Sequence, residues 1–200
     1  MKFTEVSPFT LGPYKSRKID ILEPWEFQTP KMYMPFGISG FEPDFGPKKW
    51  NVDFALKGYD QPGSYMEKFY KFLKNVEDTV ISHVHENSYD IFGSQHSLDE
   101  IRDMFQSNIK EDKRGQHPPN FRLKVDVDAD GVIKPQIFDA DINDVTGPVS
   151  TGLYSRQMAV AVAELCSVYF MNKKFGLVWK LHQLKLCAPA QQKLTGFLFT

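Results

Sequence analysis

The sequence predicts an α+β protein, mainly β. Five or six strands close a small barrel or sandwich, with a helical insertion after the second strand. Three observations carry this expectation. Apolar residues alternate with polar ones in several separate segments, the period of a half-buried strand. The one long apolar stripe at spacings of three and four follows the second strand, so strands and helices do not alternate as in a doubly wound sheet. The chain has 200 residues, 42% hydrophobic and 24% charged, enough for one domain with a sizeable core.

The elements follow in chain order. Seven prolines, from Pro8 to Pro47, cut the first fifty residues into short extended pieces and loops. Arg17 to Phe27 reads as a strand. Trp50 to Leu56 places large apolar residues at every second position and reads as the next. Pro62-Gly63 turns the chain. Ser64 then opens a helix whose Met66, Phe69, Leu73, Val76, Val80 and Val84 form one stripe. Ser97-Leu98-Asp99-Glu100 is a capping box and starts a second helix. Phe121 to Val127 alternates again. Asp130-Gly131 is a hairpin signal, with Val132 to Phe138 returning. After a loop over 139–152, two β-rich runs, Met158 to Phe170 and Phe175 to Leu186, are joined at Asn172-Lys173-Lys174.

The net charge of −1 excludes a polycation, but the charge is uneven. Residues 1–76 carry +2, residues 77–144 carry −8 and residues 145–200 carry +5. No apolar run approaches the roughly 20 residues of a membrane span. No secretory signal is expected from the first residues, and two cysteines without a CxxC pair predict a reduced, intracellular protein.

Recognisable catalytic patterns are missing: there is no GxSxG, GxxxxGK[ST] or GxGxxG. Asp126, Asp128, Asp130 and Gly131 open like an EF-hand loop, but Ile137 stands where the bidentate Glu belongs, so a turn is expected. His83 and His85 are two apart on a helix and point away from each other; they suit a helix C-terminus. Cys166 and Cys187 sit on apolar strands and read as small core residues. No cofactor and no metal are expected, and the chain is not expected to be an enzyme.

The unusual figure is 17 Phe, 8 Tyr and 3 Trp, 14% of the chain, many of them beside lysine. Three clusters stand out: Lys31, Tyr33 and Phe36; Lys48, Lys49 and Trp50; and Lys173, Lys174, Phe175 and Lys180. Ammonium groups track phosphates and flat rings stack on unpaired bases, so the combination suits single-stranded nucleic acid. The competing reading makes the rings core and the lysines edge charges that block aggregation. Phe175, Leu177, Trp179 and Leu181 share one face by alternation, which favours core there.

Two stretches resemble a known family. Gln28 to Gly37 followed by Lys49 to Leu56, and Lys174 to Lys185 followed by Leu194 to Phe197, are similar to a family of proteins from nucleocytoplasmic large DNA viruses. That family is itself similar to the single-stranded-DNA-binding proteins of short-tailed phages. The resemblance implies one OB-type domain over residues 1–200, with the helical insertion at about 64–114. It implies sequence-independent binding of single-stranded DNA, with RNA as the alternative ligand, in viral replication, recombination or repair. The residues matching the family's aromatic-basic stretches are Lys31, Tyr33, Phe36, Lys49, Trp50, Lys174, Phe175 and Trp179; for single-stranded-DNA binding the expected contacts are Lys31, Lys48, Lys49, Lys173, Lys174 and Lys180 on phosphates and Tyr33, Phe36, Trp50 and Phe175 on bases. Replication proteins and a second copy of the chain are the implied partners, and the host cytoplasm or nucleus the implied place. The phage proteins end in an acidic tail, whereas here no Asp or Glu follows Glu164. The rival reading is a non-enzymatic structural or protein-interaction module, since exposed aromatic clusters also mark protein interfaces.

Overall fold

The computed structural model describes residues 9–44 and 46–187. The segment Leu194 to Phe197 singled out in the sequence lies outside them.

Among the described residues, ten strands and three helices follow one another in the order β1 (Lys18–Gln28), β2 (Met32–Met34), β3 (Ile38–Phe41), β4 (Lys49–Ala55), α1 (Tyr65–Glu86), α2 (Ser88–Phe92), α3 (Leu98–Met104), β5 (Phe105–Gln106), β6 (Ile109–Lys110), β7 (Asn120–Val125), β8 (Gln136–Phe138), β9 (Gln157–Met171) and β10 (Lys174–Leu186). Five strand positions close a ring. β1 and β2 both lie antiparallel on β9 and act as one interrupted strand, broken at Pro30, which has no amide to give. Thr29 holds the break together: its amide donates to the Ala161 carbonyl at 2.8 Å, and its hydroxyl accepts from the Ala161 amide at 3.0 Å. β2 pairs with β4, β4 with β7, β7 runs parallel to β10, and β10 returns antiparallel to β9. Numbering β1/β2, β4, β7, β9 and β10 as strands one to five gives the circuit 1-2-3-5-4-1, with the one parallel contact between three and five. That is the OB barrel. The helices lie between its second and third strands.

The barrel is filled by rings. Trp25 and Phe27 from β1, Phe69 and Phe72 from α1, Phe121 from β7 and Trp179 from β10 have neighbouring centroids 5.0–6.0 Å apart. Each such ring buries about 150–250 Å². The opposite wall makes room with Ala159, Ala161 and Ala163 on alternate positions of β9, all buried. Nine aromatic residues among the described ones are buried in the core, and α1 closes the barrel by inserting Phe69 and Phe72.

α1 begins where its cap dictates. The Ser64 hydroxyl accepts from the Glu67 amide at 2.9 Å, and the Glu67 carboxylate accepts from the Gly63 amide at 2.7 Å. Both halves of the Ser97–Glu100 capping box are formed at α3. His83 and His85 occupy the last turn of α1. The Asp130-Gly131 turn forms, with Asp128 Oδ1 accepting from the Asp130 and Val132 amides. The returning strand does not come back to β7: a single Val127–Ile133 bridge ends the hairpin, and β8 pairs in parallel with β10 instead. Asp126 directly follows the last residue of β7. Its carboxylate is held by Lys124 at 2.8 Å and Lys180 at 2.6 Å, on two neighbouring strands.

Candidate nucleic-acid interface

Alternation on β4 and β7 sends Val52, Phe54, Phe121 and Leu123 into the core and Lys49, Asn51, Asp53, Arg122 and Lys124 outward. Arg122 grips Asp53 with two parallel hydrogen bonds, Nε to Oδ1 and Nη2 to Oδ2, both 2.7 Å. The bidentate geometry spends the charge of a buried carboxylate and raises the guanidinium pKa further.

Beside this pair a broad cleft of about 1340 Å³ opens over β2, β4 and β7. Lys31 lines it from just before β2, Tyr33 from β2 and Phe36 from the loop after it; Lys57 and Tyr59 line it from the turn after β4; Lys110 and Arg122 line it from β6 and β7. Tyr33 is 38% and Phe36 58% exposed, so both rings can be stacked upon. Burial and the nearby Arg122 charge pull the Lys110 ammonium below its ordinary pKa. Asp53, Asp60, Glu111 and Asp112 also line the cleft. Asp53 is taken by Arg122. Asp112 accepts from the amides of Arg114, Gln116 and His117, which lower its pKa. The lining is amphoteric, with its rings exposed and half of its acids already satisfied.

Gly37 fixes the rim. Its φ is +61°, and a Cβ there would lie 2.2 Å from the Leu153 carbonyl oxygen. Only glycine lets the chain turn after Phe36 and hand the Ile38 amide to that same carbonyl, at 2.8 Å.

No family model and no curated protein matches this sequence. The fold is similar to two solved phage proteins. One is the single-stranded DNA-binding protein from bacteriophage Enc34 in complex with ssDNA, at 6% identity and TM-score 0.49, over 90% of this chain and 96% of that one. The other is gp2.5, the single-stranded DNA-binding protein encoded by bacteriophage T7, at 14% identity and TM-score 0.44, over 88% and 92%.

The three sequence clusters fare differently. Lys31, Tyr33 and Phe36 meet in the cleft. Lys48, Lys49 and Trp50 sit at the start of β4, where β3 turns into it. The Lys48 ammonium lies 4.8 Å from the centroid of the Trp50 ring and 3.2 Å from Glu42. The ring also rests on Gly40, where a Cβ would come within 2.9 Å of it. Trp50 is half-buried against the core, and a stacking base has to displace Lys48. Lys180 is held by Asp126. Phe175 is corrected: it is fully buried, between Phe105 at 5.3 Å and Phe170 at 5.6 Å, because alternation on β10 points it inward with Leu177, Trp179 and Leu181. Lys173 and Lys174 are exposed at the β9–β10 turn and do not line the cleft.

Sequence reasoning missed Lys57, Lys110 and Arg122. They are scattered over 65 residues, and only strand pairing brings them together. One further cluster could hold a cation: Glu26, Glu164 and His182, on β1, β9 and β10, place ligand atoms within 4.8 Å of one another on the outer face. Cys166 lies nearby on β9; burial first, then the Glu164 charge, pushes its thiol up to about 11, so it is a poor nucleophile.

Proposed function

We propose that the chain binds single-stranded DNA without reading its sequence and without turning it over. One observation carries this reading: the cleft on the β2–β4–β7 face sets the exposed rings of Tyr33 and Phe36 among the ammonium groups of Lys31, Lys57 and Lys110. An OB barrel holds oligonucleotides across this same pair of strands and the loops that flank them. The rings supply stacking at about 1–3 kcal/mol per base, and the cations supply phosphate contacts. Lys48 and Lys49 extend the basic rim toward β3. The resemblance to proteins of large DNA viruses supports a protective role on strands exposed in replication, recombination or repair, within the host cytoplasm or nucleus.

The test is a fluorescence-anisotropy titration of labelled oligo-thymidine at two salt concentrations, with duplex DNA and single-stranded RNA as competitors. Three or four phosphate contacts predict a log–log salt slope of about −2 to −3. Tight, salt-weakened binding that duplex displaces poorly supports the reading. Absence of binding at low salt overturns it. Displacement by RNA at equal concentration makes the ligand single-stranded nucleic acid in general.

A further inference from the structure

The lysines of the β9–β10 turn have a partner turn that sequence reasoning did not single out. Lys15 and Lys18 exchange both backbone hydrogen bonds, at 2.8 and 3.0 Å, around Ser16 and Arg17, whose φ values are +51° and +66°. Asn172 and Lys173 repeat this conformation, with φ of +51° and +60°. Two successive left-handed residues are the mark of the tight hairpin turn whose twist matches its strands. The turns lie side by side: the Phe170 amide donates to the Arg17 carbonyl at 2.9 Å, Lys18 faces Tyr169, and Lys174 faces Met171.

Five cationic side chains, Lys15, Arg17, Lys18, Lys173 and Lys174, are thus displayed, all exposed. Lys18 is paired with Asp20 at 2.6 Å; among the described residues the other four have no ion-pair partner. Four cations side by side without an ion-pair partner among the described residues make a local positive potential even in a chain of net charge −1. The rings beneath, Tyr14, Phe92, Phe170 and Phe175, pack on one another. The patch lies apart from the cleft: Met158 borders the cleft and Met171 the turns, about 40 Å of strand contour at the usual rise per residue.

We propose that the paired turns are a second contact for single-stranded DNA, made to the sugar–phosphate backbone alone, which engages strand extending beyond the cleft. The inference rests on the proposed function. Two hydrogen-bonded turns fix the backbone positions from which the cations project, and nothing in the patch distinguishes one base from another.

The test uses the full chain and two labelled oligo-thymidines, one of about 8 nucleotides, within the roughly 4–16 that one OB domain covers, and one of about 30. The variants are Lys15→Glu/Lys174→Glu, at positions outside the left-handed residues, and Tyr33→Ala in the cleft. A third, Lys173→Gly, removes a charge while favouring the turn. The charge reversal is expected to leave the short oligomer within twofold and weaken the long one at least tenfold. Its salt slope for the long oligomer should fall by about 1.4, two contacts at about 0.7 each. Lys173→Gly should shift the long oligomer in the same direction. Unchanged affinity and slope for the long oligomer, with Tyr33→Ala weakening both lengths, overturns the second contact and leaves the cleft standing. Tyr33→Ala without effect, with the charge reversal abolishing binding, overturns the cleft and keeps the patch. No binding by the unaltered chain overturns both. Charge-dependent binding to phosphatidylserine vesicles, with DNA affinity unmoved, reassigns the patch to anionic lipid and overturns the proposal.

Discussion

At the scale of single residues, the same residue types do opposite jobs according to strand parity. Tyr33 faces out of β2 between Met32 and Met34, which are buried. Phe175 faces into the barrel. Phe36→Ala should therefore cost binding and not folding: an affinity loss of about 5- to 150-fold, the equivalent of 1–3 kcal/mol of lost stacking. Anisotropy titration reads the loss, and an unchanged melting temperature confirms that the fold is intact. Arg122→Met should do the reverse first. It strands the buried Asp53 carboxylate, which is 6% exposed. Denaturant unfolding should show a loss of about 2–3 kcal/mol, below the roughly 3–5 of a fully buried pair because the guanidinium keeps contact with water. An unaltered midpoint would mean that the pair contributes no net stability.

At the scale of elements, the first and second barrel strands and the loop between them build both core and cleft. Gly37 is the pivot, since its left-handed backbone and its approach to Leu153 exclude a Cβ. Gly37→Ala should lower the melting temperature and weaken DNA binding together, because the Phe36 rim cannot form without displacing the Leu153 segment. Helix α1 is held by its inserted rings more than by its own propensity. Phe69→Ala, at a fully buried site against Phe27 and Phe121, should cost about 3–5 kcal/mol in equilibrium unfolding. The helix itself was legible in the sequence, because Ser64 and the three-four stripe agree on its start and its buried face. The end of the 130–131 hairpin was not. Nothing local in Val132 to Phe138 tells that β10, distant in sequence, offers a better edge than β7.

At the scale of the whole molecule, charge is organised by the barrel rather than by the chain. Within the acidic stretch 77–144, Asp126 ties β7 to β10 through Lys124 and Lys180. Burial raises the pKa of that carboxyl, but the two ammonium partners outweigh it, and the pKa lies below its ordinary value. A lowered carboxyl pKa stabilises the fold above the unfolded value near 3.9, and that contribution disappears as pH falls through the folded value. Asp126→Asn should therefore melt below the unaltered protein at pH 7, with the gap closing as the pH drops below about 4. A gap that persists at low pH would assign the effect to packing instead of charge.

The sequence by itself determined the mainly β class, the helical insertion after the second strand, both helix caps and the β9–β10 turn. All of these are set by residues within a few positions of one another, through side-chain alternation, capping hydrogen bonds and left-handed turn residues. It also placed Lys31, Tyr33 and Phe36 together, because they share one short stretch. Only the tertiary structure decided which rings are core, that β7 meets β10 in parallel to close the ring, and that Lys57, Lys110 and Arg122 join the cleft while Lys173 and Lys174 join Lys15 and Arg17. Those outcomes depend on strand pairing across up to about 150 residues of chain. The free energy of such pairing is set by burial on both partners at once, and no local window of sequence contains both.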